Sequence, residues 1–232
     1  IIVPSSSVTA TGATRRTIRR RLADELGMYG AYTVSSTPST SVTPDAARQL
    51  LVTALGSDGV PEDYLDLLMH KTCWYTTIHP LRVGAIIGSG GTVELGPLVR
   101  FGFHFGAAFQ IRDDLLNLVG DEQTYGKEIL GDLYEGKRTL PLVHLLSVAN
   151  DVDGALVRQY LALTRSERSP GLVRSIRALM DDYGSISFTS EFAEGILLVA
   201  EEYFEQAFSE AQPGPDLDFL RALVPYVWAR WR

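Results

Sequence analysis
The stretch Phe105–Asp121, FGAAFQIRDDLLNLVGD, decides how the 232-residue chain is read. Its apolar residues, with those of Leu95–Phe105 before it, recur at the helical period on several sides. That pattern predicts one long buried helix over Leu95–Val119. Yet Gln110, Asp113, Asp114 and Asn117 interrupt it, three or four residues apart, and so form a single polar stripe. Two adjacent carboxylates on a buried helix repel each other and resist ionisation unless something positive compensates. A divalent cation is an economical solution, because Mg²⁺ takes one or two carboxylates and completes its shell with water and substrate phosphates.

Working outward, helical patterns continue on both sides. VPEDYLDLLMHKTCWYTTIHP places Pro61 at a helix start and Pro80 just past its end, with Tyr64, Leu67, Leu68 and Thr72 on one face. The segments TLPLVHLLSVA, GLVRSIRALMDDYG, FTSEFAEGILLVAEEYFEQAFSEA and DFLRALVPYVWARWR repeat the period between short Gly, Pro and Ser breaks. Alternating strand patterns are scarce, so the expected fold class is all-α, in a single helical domain over 1–232. Residues 1–60 are poorly legible, and Thr33–Pro44 reads as a linker.

Composition excludes several classes. A net charge of −7 argues against general nucleic-acid binding. The basic cluster Arg15–Arg21 reads as a solvated helix face. Cys73 is the only cysteine, so there is no disulfide framework or Cys-rich metal site. No run approaches the roughly 18 apolar residues of a membrane span, and a cytoplasmic location is expected. GDEQTYGK is not a phosphate loop: five residues separate its glycines where four are needed, and Glu128 stands in the Ser/Thr position.

In their order and spacing, KTCWYTTIHPLRVGAIIG, FGFHFGAAFQIRDDLLNLVGD and YGKEILGDLYEGKRTLPL resemble the C-terminal half of trans-isoprenyl diphosphate synthases, of the farnesyl and geranylgeranyl type. The resemblance runs over 61–232, closing on the basic ending YVWARWR. It implies an isoprenoid-synthase-type helical bundle around a central cavity, assembled as a homodimer. The implied reaction joins an allylic prenyl diphosphate to isopentenyl diphosphate and releases diphosphate, with Mg²⁺ as cofactor and Mn²⁺ as its substitute. Asp113 and Asp114 would hold the metal, Asp113 more directly, with Asn117 a weaker ligand where the family commonly has Asp. Lys71, Lys127 and Lys137 would contact the diphosphate, while Thr72 and Gln110 would turn oxygen dipoles toward the allylic cation.

The family's first aspartate-rich motif is not found in this sequence, nor is its N-terminal segment for isopentenyl diphosphate; EDYLD, Glu62–Asp66, shares a helix with Lys71 and is no substitute. The expectation is therefore a longer enzyme, of which these residues are a part. The alternative is a noncatalytic subunit that modulates a complete synthase. A class I terpene cyclase is a third reading, resting on DDYGSISFT, Asp181–Thr189, which has Thr189 where a metal-binding Glu is required.

Overall fold
In the computed structural model the described residues are Tyr64, 68–120 and 128–229. The basic cluster Arg15–Arg21, the linker Thr33–Pro44, the helix start at Pro61, Lys127 and the ending Arg230–Arg232 lie outside them. Every regular element among the described residues is helical, which bears out the all-α expectation. In chain order these are α1 (Met69–Ile78), α2 (His79–Gly88), α3 (Gly96–Val119), α4 (Gly131–Glu135), α5 (Leu140–Val148), α6 (Asp151–Ala162), α7 (Pro170–Asp182), α8 (Ser185–Ala207) and α9 (Pro215–Ala229). A short 3₁₀ turn, Arg165–Glu167, joins α6 to α7.

The long helix is the axis of the fold. α3 has α8 along one side and α1 along another, and it also touches α2, α4, α5 and α9. Residues all round it are therefore buried, as its pattern predicts. Two apolar clusters result. One gathers α1, α3, α8 and α9 around Phe101, Phe103, Ile111, Ile196 and Phe204; the other gathers α5, α6 and α7 around Leu142, Val157, Tyr160 and Met180. Each such side chain stabilises the fold by about 1.5–3 kcal/mol when fully buried.

Two glycines let α1 run antiparallel and close to α3. A Cβ on Gly102 would lie 3.0 Å from Ile78 Cγ1, and one on Gly106 would lie 2.6 Å from Thr77 Oγ1 and 3.0 Å from Cys73 Cα. The Thr77 hydroxyl sits between the carbonyls of Cys73 (2.6 Å) and Gly102 (2.5 Å) and can donate to one at a time. Gly106→Ala is therefore expected to destabilise by about 2 kcal/mol. The same change at Gly84, whose Cβ would meet nothing within 4 Å, should stabilise by up to about 1 kcal/mol through helix propensity. Thermal melts followed by circular dichroism check this, and shifts of the same sign at both positions would refute the close-approach argument.

One boundary is corrected. Pro80 does not end its helix: α1 winds as a π-helix, and α2 continues from it with Pro80 in its first turn. The His79 amide still bonds back to the Trp74 carbonyl of α1, so Pro80, which has no N–H, omits one bond at the junction of the π and α windings without ending the helix.

Candidate diphosphate site between two antiparallel helices
The antiparallel pairing of α1 with α3 sets Lys71 and Thr72 beside the polar stripe. A cavity of about 340 Å³ is lined by Tyr64, Leu68, Lys71, Thr72, Gln110, Asp114, Lys137, Arg138 and Thr139. Within it the Thr72 hydroxyl donates to Gln110 Oε1 at 2.7 Å, and Gln110 Nε2 donates to Asp114 Oδ1 at 2.7 Å. This chain fixes the orientation of the Gln110 amide. It also shows one use of the helical spacing, since Gln110 and Asp114, four residues apart, are each other's partners.

Asp114 is buried and carries an electrostatic burden. Desolvation pushes its carboxyl up to about 7. The Gln110 hydrogen bond opposes this, the charges of Asp132 and Asp113 add to it, and Lys71 offsets part. Such a group is short of positive charge, and a bound cation would supply it. Among the described residues no group of three or more His, Cys, Asp or Glu could hold a metal by itself. The donor set nonetheless fits Mg²⁺, which needs only one or two protein carboxylates when substrate phosphates complete its shell.

The expected residues fall into place unevenly. Lys71, Thr72, Gln110, Asp114 and Lys137 all meet in the cavity. Asp113, expected as the more direct metal ligand, is partly exposed one residue before Asp114 and does not line it. Lys137, expected on the diphosphate, is held by Asp132 Oδ1 at 2.5 Å and by Glu135 Oε2 at 3.0 Å, and both partners raise its affinity for its proton. Asn117 has another task than the weak metal ligation expected of it. Its Nδ2 donates to the Glu128 carbonyl (3.0 Å), its Oδ1 accepts from the Asp132 amide (3.0 Å), and its carbonyl accepts from the Leu130 amide (2.7 Å). These bonds pin a turn in which Leu130 takes a left-handed φ of 63°, a conformation that costs a non-glycine residue energy unless its surroundings enforce it.

Four residues in or beside the site were not singled out from the sequence. Tyr64 and Thr139 carried no signal beyond the helix and the TLP run that contain them. Asp132 and Arg138 are legible in GDLYEGKR only once Lys137 is known to face α3. The segment proposed for a terpene cyclase lies elsewhere: Asp181 is an exposed partner of Arg177, and Ser185 and Thr189 are buried, with the Thr189 hydroxyl donating to the Ser185 carbonyl at 2.7 Å. Among the described residues no helix is long and apolar enough to cross a membrane.

The family model described as Polyprenyl synthetase matches residues 49–180. A short chain isoprenyl diphosphate synthase of Methanothermobacter thermautotrophicus is 31% identical over 64% of this chain and 44% of its own length. An all-trans-nonaprenyl-diphosphate synthase (geranyl-diphosphate specific) of Rhodobacter capsulatus is 32% identical over 72% and 47%. The chain thus spans about half the length of the curated relatives it matches. In structure it resembles a decaprenyl diphosphate synthase from Rhodobacter capsulatus, with a TM-score of 0.66 and 25% identity over 94% of this chain and 62% of that one. A geranylgeranyl pyrophosphate synthase from Corynebacterium glutamicum, complexed with isoprenyl diphosphate and magnesium, shares the fold at a TM-score of 0.65 and 21% identity over 95% and 57%. With its family model matched over more than half its length and its cavity set between the helices that carry the family's motifs, the chain belongs to the polyprenyl synthetase family.

Proposed function
We propose that the protein acts in trans-prenyl chain elongation, in which an allylic prenyl diphosphate condenses with isopentenyl diphosphate to give a longer prenyl diphosphate, farnesyl or geranylgeranyl, and free diphosphate. The observation that carries this reading is the convergence of Lys71, Lys137 and Arg138 with the Thr72–Gln110–Asp114 chain in one cavity. Breaking the allylic carbon–oxygen bond leaves negative charge on the diphosphate and positive charge on the carbon chain. Pre-set cations lower the cost of the first, and fixed oxygen dipoles lower that of the second.

Lys71 lines the cavity from α1 and Lys137 and Arg138 line it from the turn after α4, so two segments of the chain bring cations to an anionic headgroup. The Gln110 amide, locked by its two hydrogen bonds, presents its oxygen edge toward the Thr72 side of the cavity. Tyr64 and Leu68 supply an apolar border that excludes water from a cation. Asp113 and Asp114 would hold Mg²⁺, with Mn²⁺ as its substitute. The metal would neutralise the diphosphate and make it a better leaving group. Lys127, from the segment after α3, belongs to the same reading. So do a cytoplasmic location and a homodimer, for which exposed Tyr75 on α1 and Ile87 on α2 offer apolar surface.

Calorimetry with a nonreactive allylic diphosphate analogue tests the site. Lys71→Ala and Lys127→Ala are expected to weaken binding about tenfold, the worth of one charge-assisted contact. Arg174→Ala, on the exposed side of α7, should leave it unchanged. Equal affinities across the set would defeat the reading. A second role, as a subunit that modulates a complete synthase, rests on one observation: among the described residues no group of three or more His, Cys, Asp or Glu could hold a metal. Condensation assays with the protein alone, and then with a complete synthase added, separate the two roles.

A further inference from the structure
Part of the cavity wall is the turn that follows Gly136 and carries Lys137, Arg138 and Thr139, and its shape is set by a residue outside the cavity. α4 is only five residues long and ends at Gly136, whose φ of 68° is left-handed. The Gly136 amide donates to the Leu133 carbonyl at 2.8 Å, and the Lys137 amide donates to the Asp132 carbonyl at 2.9 Å. So short a helix has little stability of its own, and its exit direction has to be enforced from elsewhere.

Arg168, just after the 3₁₀ turn, lies against it. Its side chain is buried, with 7% of the residue exposed. Nη1 donates to the Tyr134 carbonyl at 2.9 Å, Nε to the Tyr160 carbonyl at 3.3 Å and Nη2 to the Leu161 carbonyl at 3.3 Å, while the guanidinium lies 5.2 Å over the Tyr160 ring. The Tyr160 hydroxyl in turn donates to the Leu133 carbonyl. One guanidinium thus serves the C-terminal carbonyls of both α4 and α6, where helix dipoles favour a cation. Among the described residues no carboxylate forms an ion pair with it. A buried cation without a carboxylate is expensive; its planar fork of donors is what can tie two helix ends together, which an ammonium cannot do. The fit is tight on the turn's side as well, for a Cβ on Gly136 would lie 2.3 Å from Arg168 Nη2.

We infer that Arg168 is a positioning residue for diphosphate binding: by clamping the end of α4 against that of α6, it fixes the turn that sends Lys137 and Arg138 into the cavity. The inference rests on the diphosphate site proposed above, and its test separates the two. Arg168→Met keeps length and burial but removes every donor. It is expected to weaken binding of inorganic pyrophosphate with Mg²⁺ about tenfold, the scale on which outer contacts that orient a ligating group act. That loss should vanish in a Lys137→Ala/Arg138→Ala background, because contacts acting through one another are not additive. A purely structural role would give the same loss in both backgrounds and would overturn the inference. Independently of any ligand, tryptic cleavage after Lys137 and Arg138 should accelerate about tenfold in Arg168→Met as the turn opens more often. An unchanged rate would refute the clamp. If the unsubstituted protein binds no pyrophosphate, the proposed function falls and the tryptic rate alone decides the clamp. Should Arg168→Met fail to fold, Arg168→Lys serves the same measurements, and wild-type values from it would overturn the inference.

Discussion

Asp113→Ala is expected to lower turnover at least about 10²-fold, the cost of losing one preorganised electrostatic group, while the protein stays folded. The carboxylate is partly exposed on α3 rather than committed to the core, so its removal leaves no cavity. Asp114 beside it is buried and bonded to Gln110, whereas Asp113 is reachable from solvent, the side from which a cation arrives with the substrate. The assay is condensation of allylic and isopentenyl diphosphates, with a complete synthase added if the protein alone is inactive. A folded Asp113→Ala protein with unchanged turnover and unchanged Mg²⁺ dependence would remove the metal assignment.

Asp114→Asn should do the opposite to stability. The folded state holds a proton on this carboxyl up to about pH 7, whereas at its ordinary value of 3.8 the unfolded chain has already released it. Between these two values the unfolded chain binds fewer protons, so the folded state loses stability as pH rises through that window, and the whole penalty is present above it. An amide keeps the bond from Gln110 and has no charge to desolvate. The variant should therefore be more stable than the native protein by about 4 kcal/mol at pH 8, a rise in Tm of roughly 12 °C. At pH 4 the gap should close. Mg²⁺ with pyrophosphate should raise the Tm of the native protein more than that of the variant, because a ligand stabilises the folded state in proportion to how tightly it binds it. A gap of equal size at both pH values would show that Asp114 does not titrate as its burial demands. Together the two variants describe a site held at a cost to the fold, which is common where a cation or ligand completes the structure.

Much of this was legible in the chain. The period of Leu95–Val119 announced a helix buried on several sides, and Gln110, Asp113, Asp114 and Asn117 announced a polar stripe along it, because helical spacing is a property of local sequence. The order of the Lys71–Thr72, Asp113–Asp114 and Lys137 segments carried the family. The π-wound α1 running on through Pro80 was not legible. A proline at that point reads as a stop, and only packing against α3 at Gly102 and Gly106 makes the continuous helix worthwhile.

The sequence by itself determined that the chain is helical, that α3 is its axis and which residue types the site contains, since periodicity and chemical identity are local. Tertiary structure decided which of those residues meet. It turned Asp114 rather than Asp113 into the cavity, gave Asn117 to the turn at Leu130, engaged Lys137 with Asp132 and Glu135, and set Arg168 behind Gly136. Those outcomes depend on hydrogen bonds and charges between residues far apart in sequence, such as Thr72 and Gln110, 38 positions apart. Such pairings are fixed only when the helices pack, because burial removes the water that would otherwise satisfy each group alone.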